Sequence, residues 1–146
     1  MSQKPFAVGS DHAGIELKRS LVQELEKRGF QVRDFGTNSS DSCDYPDFAH
    51  ALAAAIEAGE VDNGLLVCGT GVGMSIVANR HAGVRAVVCS EPLSARMSRR
   101  HNDTNVLCLG ARVVGPDTAL DILDAFLAAA FESGRHAKRV AKITPA

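Results

Sequence analysis

The sequence contains no tryptophan and a single tyrosine among its 146 residues. It therefore lacks the flat aromatic platforms on which single-stranded nucleic acids stack. An excess of positive charge is missing too. The formal net charge is −1, whereas nucleic-acid-binding domains of this size are distinctly basic. No nucleic-acid partner is expected. There is no apolar run long enough to cross a bilayer, and Met1-Ser-Gln-Lys-Pro5 leads straight into a strand-like run without a signal peptide. The expectation is a cytoplasmic chain with no membrane partner. Cysteine pairs of the C-x-x-C type are absent. The four cysteines, at 43, 68, 89 and 108, have spacings unlike those of a zinc site. Cys68, Cys89 and Cys108 each close an apolar run, which suggests three strand ends and free thiols in a reducing compartment. Internal repeats, linkers and low-complexity segments are also missing.

Hydrophobic residues make up 45% and charged residues 23%, enough for a packed core and against disorder. The length fits one domain, 1–146, with a basic helix or tail from about residue 134. Short apolar runs alternate with longer amphipathic ones. Strands are expected at Phe6–Gly9, Gln31–Phe35, Leu65–Cys68, Val84–Cys89 and Val106–Leu109. Helices are expected at Ile15–Lys27, Pro46–Ala58, Val72–Arg80, Pro92–Arg100 and Asp117–Glu132. Gly29 and Gly59 read as helix stops, and Pro46 as a helix start. Five strands alternating with helices specify an α/β fold with a parallel sheet covered on both faces. Its functional groups should collect beyond the carboxyl ends of the strands. Ser10-Asp-His12, Gly69-Thr-Gly71, Ser90-Glu91 and Gly110-Ala-Arg112 fall there.

Cys68 ends the third strand, and Gly69, Thr70, Gly71 and Gly73 lead into a helix. The glycines allow a tight turn and close approach of a ligand to the backbone. The helix start offers unpaired amides that stabilise an anion, or an oxygen that becomes anionic during reaction. A thiol beside such amides is favoured in its nucleophilic, anionic form. A dinucleotide loop stays open as a reading, since Glu91 lies about 20 residues on at the next strand end. The turn nevertheless reads G-T-G-V-G after the third strand, not G-x-G-x-x-G after the first. A Walker loop fails because no Gly-Lys-Ser/Thr follows. A purely structural turn with an inert cysteine is the remaining alternative.

His12 follows Asp11 after the first strand. The pair can orient an imidazole or ligate a sugar hydroxyl, or Asp11 can simply cap a helix. His101 opens the polar run His101-Asn-Asp-Thr-Asn105 and can exchange a proton near neutrality, or serve only the helix dipole. His50 and His81 read as structural or surface residues. No pair of histidines has metal-ligand spacing, so no metal is expected. Arg135 and Arg139 are four apart, which puts two guanidiniums on one helix face as a phosphate clamp; the alternative is a solvated tail. Arg112 adds a possible third contact. Arg96, Arg99 and Arg100 read as surface charge.

Together these segments resemble the type B ribose-5-phosphate isomerases, the family that includes galactose-6-phosphate isomerase subunits. The resemblance runs from Ala7 to Ile143. It rests on Gly9-Ser-Asp-His-Ala-Gly14, Asp44-Tyr-Pro46, Cys68-Gly-Thr-Gly-Val-Gly-Met-Ser75, Val84-Arg-Ala-Val-Val-Cys-Ser-Glu-Pro92, His101-Asn-Asp-Thr-Asn105 and Gly134-Arg-His136 with Arg139. It implies a Rossmann-like three-layer sandwich and an isomerase of ribose 5-phosphate and ribulose 5-phosphate. A hexose 6-phosphate or tetrose 4-phosphate is the alternative substrate, and a nucleotide-binding module the rival class. By resemblance, Cys68 is the base, and His101 with Thr70 assists ring opening. Gly69, Gly71, Val72 and Gly73 hold the enediolate oxygen. Asp11, His12, Tyr45 and Asn102 contact the sugar, and Arg112, Arg135 and Arg139 the phosphate. The resemblance further implies no cofactor. It implies a homodimer, or a dimer of dimers, with sites at the subunit interface.

Overall fold

The structure is a computed structural model that describes residues 4–145. Its strands are β1 (Phe6–Ser10), β2 (Val32–Asp34), β3 (Gly64–Cys68), β4 (Ala86–Val88) and β5 (Val106–Gly110). Its helices are α1 (Ile15–Lys27), α2 (Tyr45–Glu57), α3 (Val72–Ala78), α4 (Pro92–Asn102), α5 (Pro116–Ala128) and α6 (Arg135–Ala141), and a 3-10 turn spans His12–Gly14. All neighbouring strands are parallel, in the order β2-β1-β3-β5-β4. The three-layer α/β sandwich expected from the alternation is therefore the fold. Among the described residues, no helix is long and apolar enough to cross a membrane.

The pleat sorts each strand between two cores. Phe6, Val8, Leu65, Val67, Leu107 and Leu109 face α1, α4 and α5, meeting Leu21, Leu25, Ala95, Ile122 and Leu123. Ala7, Leu66, Cys68, Val106 and Cys108 face α2 and α3, meeting Leu52, Ala53, Met74 and Ala78. The central strands are buried on both sides, which is why they read as unbroken apolar runs. Crossover direction and covered face reverse together along the chain. All four crossovers therefore share one hand, as the twist of the strands requires. The helices after β1 and β3 lie on opposite faces, which opens a crevice between those strand ends.

Several boundaries differ from the sequence expectation. β4 is an edge strand of three residues: the Arg85 amide is taken by Asn105 Oδ1 at 2.8 Å and its carbonyl accepts from the Asn105 and Val106 amides at 2.9 and 3.4 Å, so the regular ladder begins only at Ala86. Cys108 lies inside β5 and Cys89 just past β4, so only Cys68 ends a strand. α5 stops at Ala128 rather than Glu132, because Ala129 is extended and the Glu132 amide donates to the Arg100 carbonyl at 3.0 Å. Arg99 is not surface charge. Its guanidinium is mostly buried, 5.6 Å from the Phe126 ring centroid, and bonds the Asp103 carboxylate and the Thr104 carbonyl.

Candidate active site

Cys68 is the last residue of β3, buried at 5% exposure beneath the start of α3. The Gly71 amide donates to its Sγ at 3.1 Å. Gly71 holds φ at +80°, and a Cβ there would lie 2.9 Å from the Leu109 carbonyl carbon, so the turn closes only around a glycine. Thr70 Oγ1 accepts from the Val72 amide at 3.3 Å. The Tyr45 ring covers Gly73 so closely that a Cβ there would lie 2.5 Å from Cε1. The Arg112 side chain lies over Gly69, and its amide donates to the Gly69 carbonyl at 3.0 Å.

Asp11 adjoins this turn, its amide donating to the Val67 carbonyl at 3.2 Å. Its carboxylate accepts from the Ala13 and Gly14 amides at 3.0 and 3.1 Å, so the capping role left open by the sequence is real. His12 Nδ1 accepts from the Cys43 amide at 3.3 Å, and the Cys43 thiol lies 3.7 Å from the same atom. The fold thus gathers Asp11, His12, Tyr45, the 68–73 turn and Arg112 around the crevice between β1, β3 and β5.

The remaining candidates lie elsewhere. α4 starts at the carboxyl edge of the sheet and carries the chain back over about 16 Å, its 11 residues rising about 1.5 Å each. His101 and Asn102 therefore sit at the amino edge, four residues before β5 begins. There His101 stacks on His136, with ring centroids 4.1 Å apart and planes 10° from parallel. Glu132 Oε1 lies 3.7 Å from His101 Nε2 and 3.6 Å from His136 Nε2. Burial first, then the charges of His101 and Arg135, hold the His136 imidazole below its ordinary titration range. Arg135 and Arg139 are on α6, which packs on α4. Asn102 lines a separate cleft with Arg80, Arg85 and Val140. Among the described residues, no hydrogen bond, ion pair or ring contact joins this group to the Cys68 turn.

The sequence reading gave no role to Glu132, His136 or Cys43. A Glu-x-x-x-His spacing was the available signal for the first two, but it spans an irregular segment where helical spacing carries no meaning. Cys43 reaches His12 only through the fold of the loop.

The motifs that carry these side chains match those of known proteins over nearly the whole chain. The model of the Ribose/Galactose Isomerase family matches residues 6–143. The chain belongs to that family. It is 57% identical to ribose-5-phosphate isomerase B of Escherichia coli strain K12, over 97% of this chain and 95% of that one. The structure of Clostridium thermocellum ribose-5-phosphate isomerase B superposes with a TM-score of 0.94 at 55% identity, covering 95% of this chain and 94% of that one. A ribose-5-phosphate isomerase B from Mycoplasma genitalium, solved with bound ribulose-5-phosphate, superposes with a TM-score of 0.93 at 39% identity, covering 98% and 95%.

Proposed function

We propose that this chain is an aldose-ketose isomerase interconverting ribose 5-phosphate and ribulose 5-phosphate through a cis-enediolate. The observation that carries the reading is the Cys68 thiol set against the amides of the 69–73 turn, with the Gly71 N–H 3.1 Å from sulfur. Such a site offers a base and an anion cradle within one turn. Arg112, Arg135 and Arg139 bind the phosphate. His101, with Thr70, moves the protons that open the sugar ring. Asp11, His12, Tyr45 and Asn102 hold the open chain. Cys68 removes the proton from C2, the turn amides stabilise the enediolate, and the proton returns at C1. The electron pair stays within the sugar, so the chemistry calls for no redox cofactor.

The two clusters at opposite edges of the sheet support a site built from two copies of the chain. One copy supplies Cys68 and its turn, the second His101, Asn102, Arg135 and Arg139. Exposed apolar side chains surround the turn: Val72, Val88, Leu93 and Val113 are 39–56% exposed. A second copy would cover them, consistent with a homodimer.

The test is turnover against pentose, hexose and tetrose phosphates, with Cys68→Ala alongside. Ribose 5-phosphate is expected to give the highest kcat/KM. Cys68→Ala should lose on the order of 10²–10⁴-fold or more in kcat while still binding sugar phosphate. Near-full turnover by Cys68→Ala would remove the thiol from the mechanism. A higher kcat/KM for a hexose or tetrose phosphate would reassign the substrate.

A further inference from the structure

The fold fixes His12 from two sides. Its backbone lies in the 3-10 turn capped by Asp11, whose carboxylate accepts from the Ala13 and Gly14 amides. That turn is pressed against β3: a Cβ on Gly14 would lie 2.5 Å from the carbonyl oxygen of Val67, the neighbour of Cys68. The imidazole is held by the loop from β2 to α2, where the Cys43 amide donates to Nδ1 at 3.3 Å. A neutral imidazole has one acceptor and one donor nitrogen. With Nδ1 accepting, the hydrogen sits on Nε2. The Cys43 thiol, 3.7 Å from Nδ1, is a second donor to that atom and selects the same tautomer. Among the described residues, no hydrogen bond is made to Nε2, and His12 is only half-buried.

We propose that the Cys43 backbone amide is a positioning group for the isomerase: it locks His12 in the Nε2–H form, so that His12 meets the sugar phosphate as a hydrogen-bond donor and not as a base. The donor clause rests on the sugar contact proposed above for His12. To act as a base, His12 would have to offer a lone pair at Nε2, which needs its hydrogen on Nδ1 instead. That hydrogen would face the Cys43 N–H, donor against donor, and the loop tie would break. An imidazolium carries hydrogens on both nitrogens and meets the same obstacle. A tied loop and a proton-accepting His12 are therefore mutually exclusive. The partner of Nε2–H is an oxygen with a free lone pair, on a hydroxyl or a phosphate. This division leaves proton abstraction from carbon to Cys68. The donor amide is itself held. Lys18 grips the start of the same loop at Thr37 and Asn38, and α2 begins at Tyr45, two residues past Cys43. A donor fixed in advance costs little reorganisation when the sugar arrives.

The experiment uses the full chain with isotope-labelled nitrogen, as wild type and as Cys43→Ala. Long-range proton–nitrogen correlation spectra should show His12 protonated at Nε2 only. A scalar coupling through the hydrogen bond should link the Cys43 amide nitrogen to Nδ1. Cys43→Ala keeps the amide and should keep both signatures. A His12 protonated at Nδ1 overturns the proposal. Loss of the coupling in Cys43→Ala overturns it too, because the thiol would then be the positioning group. The donor clause is read with His12→Gln and His12→Asn, on the sugar phosphate that wild type turns over best. A Gln amide reaches the place of Nε2 and can donate there, whereas an Asn amide reaches only that of Nδ1. His12→Gln should keep kcat/KM about tenfold or more above His12→Asn, the worth of one hydrogen bond. Equal losses in the two variants would remove the Nε2 donor from recognition and overturn that clause. The spectra need no turnover, so an inactive wild type would sink the isomerase reading and leave the tautomer standing.

Discussion

Burial governs the reactivity of two of the four free cysteines, Cys89 and Cys108. Cys89 is pushed up to about 11, first by burial and then by the charge of Glu91. Burial pushes Cys108 higher still. Neither is a thiolate near neutrality, so neither can act as a base. Iodoacetamide at about pH 8 is expected to leave Cys89 and Cys108 unlabelled in the folded protein, because only the thiolate reacts. Peptide mass spectrometry checks this, and labelling of either in the native state would contradict their burial. The same shift bears on stability. Unfolded thiols release their proton near 9.0, whereas folded Cys89 keeps its proton to about 11. The unfolded chain binds fewer protons in that window, so stability should fall as pH rises through it. Urea midpoints across that range test the sign. Gly71 is a second residue fixed by its setting: with φ at +80° and Leu109 against it, Gly71→Ala should cost about 1–3 kcal/mol. It should also depress kcat, because the amide bonded to Cys68 would shift. Differential calorimetry with steady-state kinetics reads both.

Among the elements, the loop from β2 to α2 is held at its root by a buried cation. Lys18 of α1 is 0% exposed. Its ammonium donates to Asp34 at 3.0 Å, to Asn38 Oδ1 at 3.3 Å and to the Thr37 carbonyl. The far end of the loop is tied by the Cys43 amide on His12 and by Tyr45 on Gly73. One lysine thus fixes the start of a segment whose end reaches the site. Lys18→Met removes all three bonds but leaves Asp34 partly hydrated, so a cost of about 1–3 kcal/mol is expected, below that of breaking a fully buried pair. KM for the sugar phosphate should rise more than kcat falls, with hydrogen exchange quickening in residues 37–44. Unchanged exchange there would show that the loop does not depend on its anchor. The sequence places residues 36–45 outside every expected strand and helix. Nothing in its composition ties it to a lysine twenty residues earlier.

At the scale of the whole molecule, the sheet separates the two halves of the proposed site. Cys68 and its glycine turn lie at the carboxyl edge, and His101, Arg135 and Arg139 at the amino edge. Mixing Cys68→Ala with His101→Ala chains should then restore activity. Half of the randomly formed dimers are mixed, and each of these has one intact site, so recovery should approach about a quarter of the wild-type rate. No recovery after co-refolding would place both residues in one chain's site. Much of this was legible in the sequence. Apolar runs at 65–68 and 106–109 mark central strands, because a parallel strand buried on both faces must be apolar throughout. The order of Asp11, His12, Cys68 and its glycines marks strand ends, because local backbone chemistry and connectivity are written along the chain. Tertiary structure alone decided which of those ends meet. Asp11 was shown to cap a turn, Arg99 was drawn under Phe126, and His101 was carried away from Cys68 by the length of α4. Glu132 was set against the edges of two stacked histidines that are 35 residues apart in sequence. Those outcomes depend on packing between distant segments, and spacing along a chain carries no record of distance across a sheet.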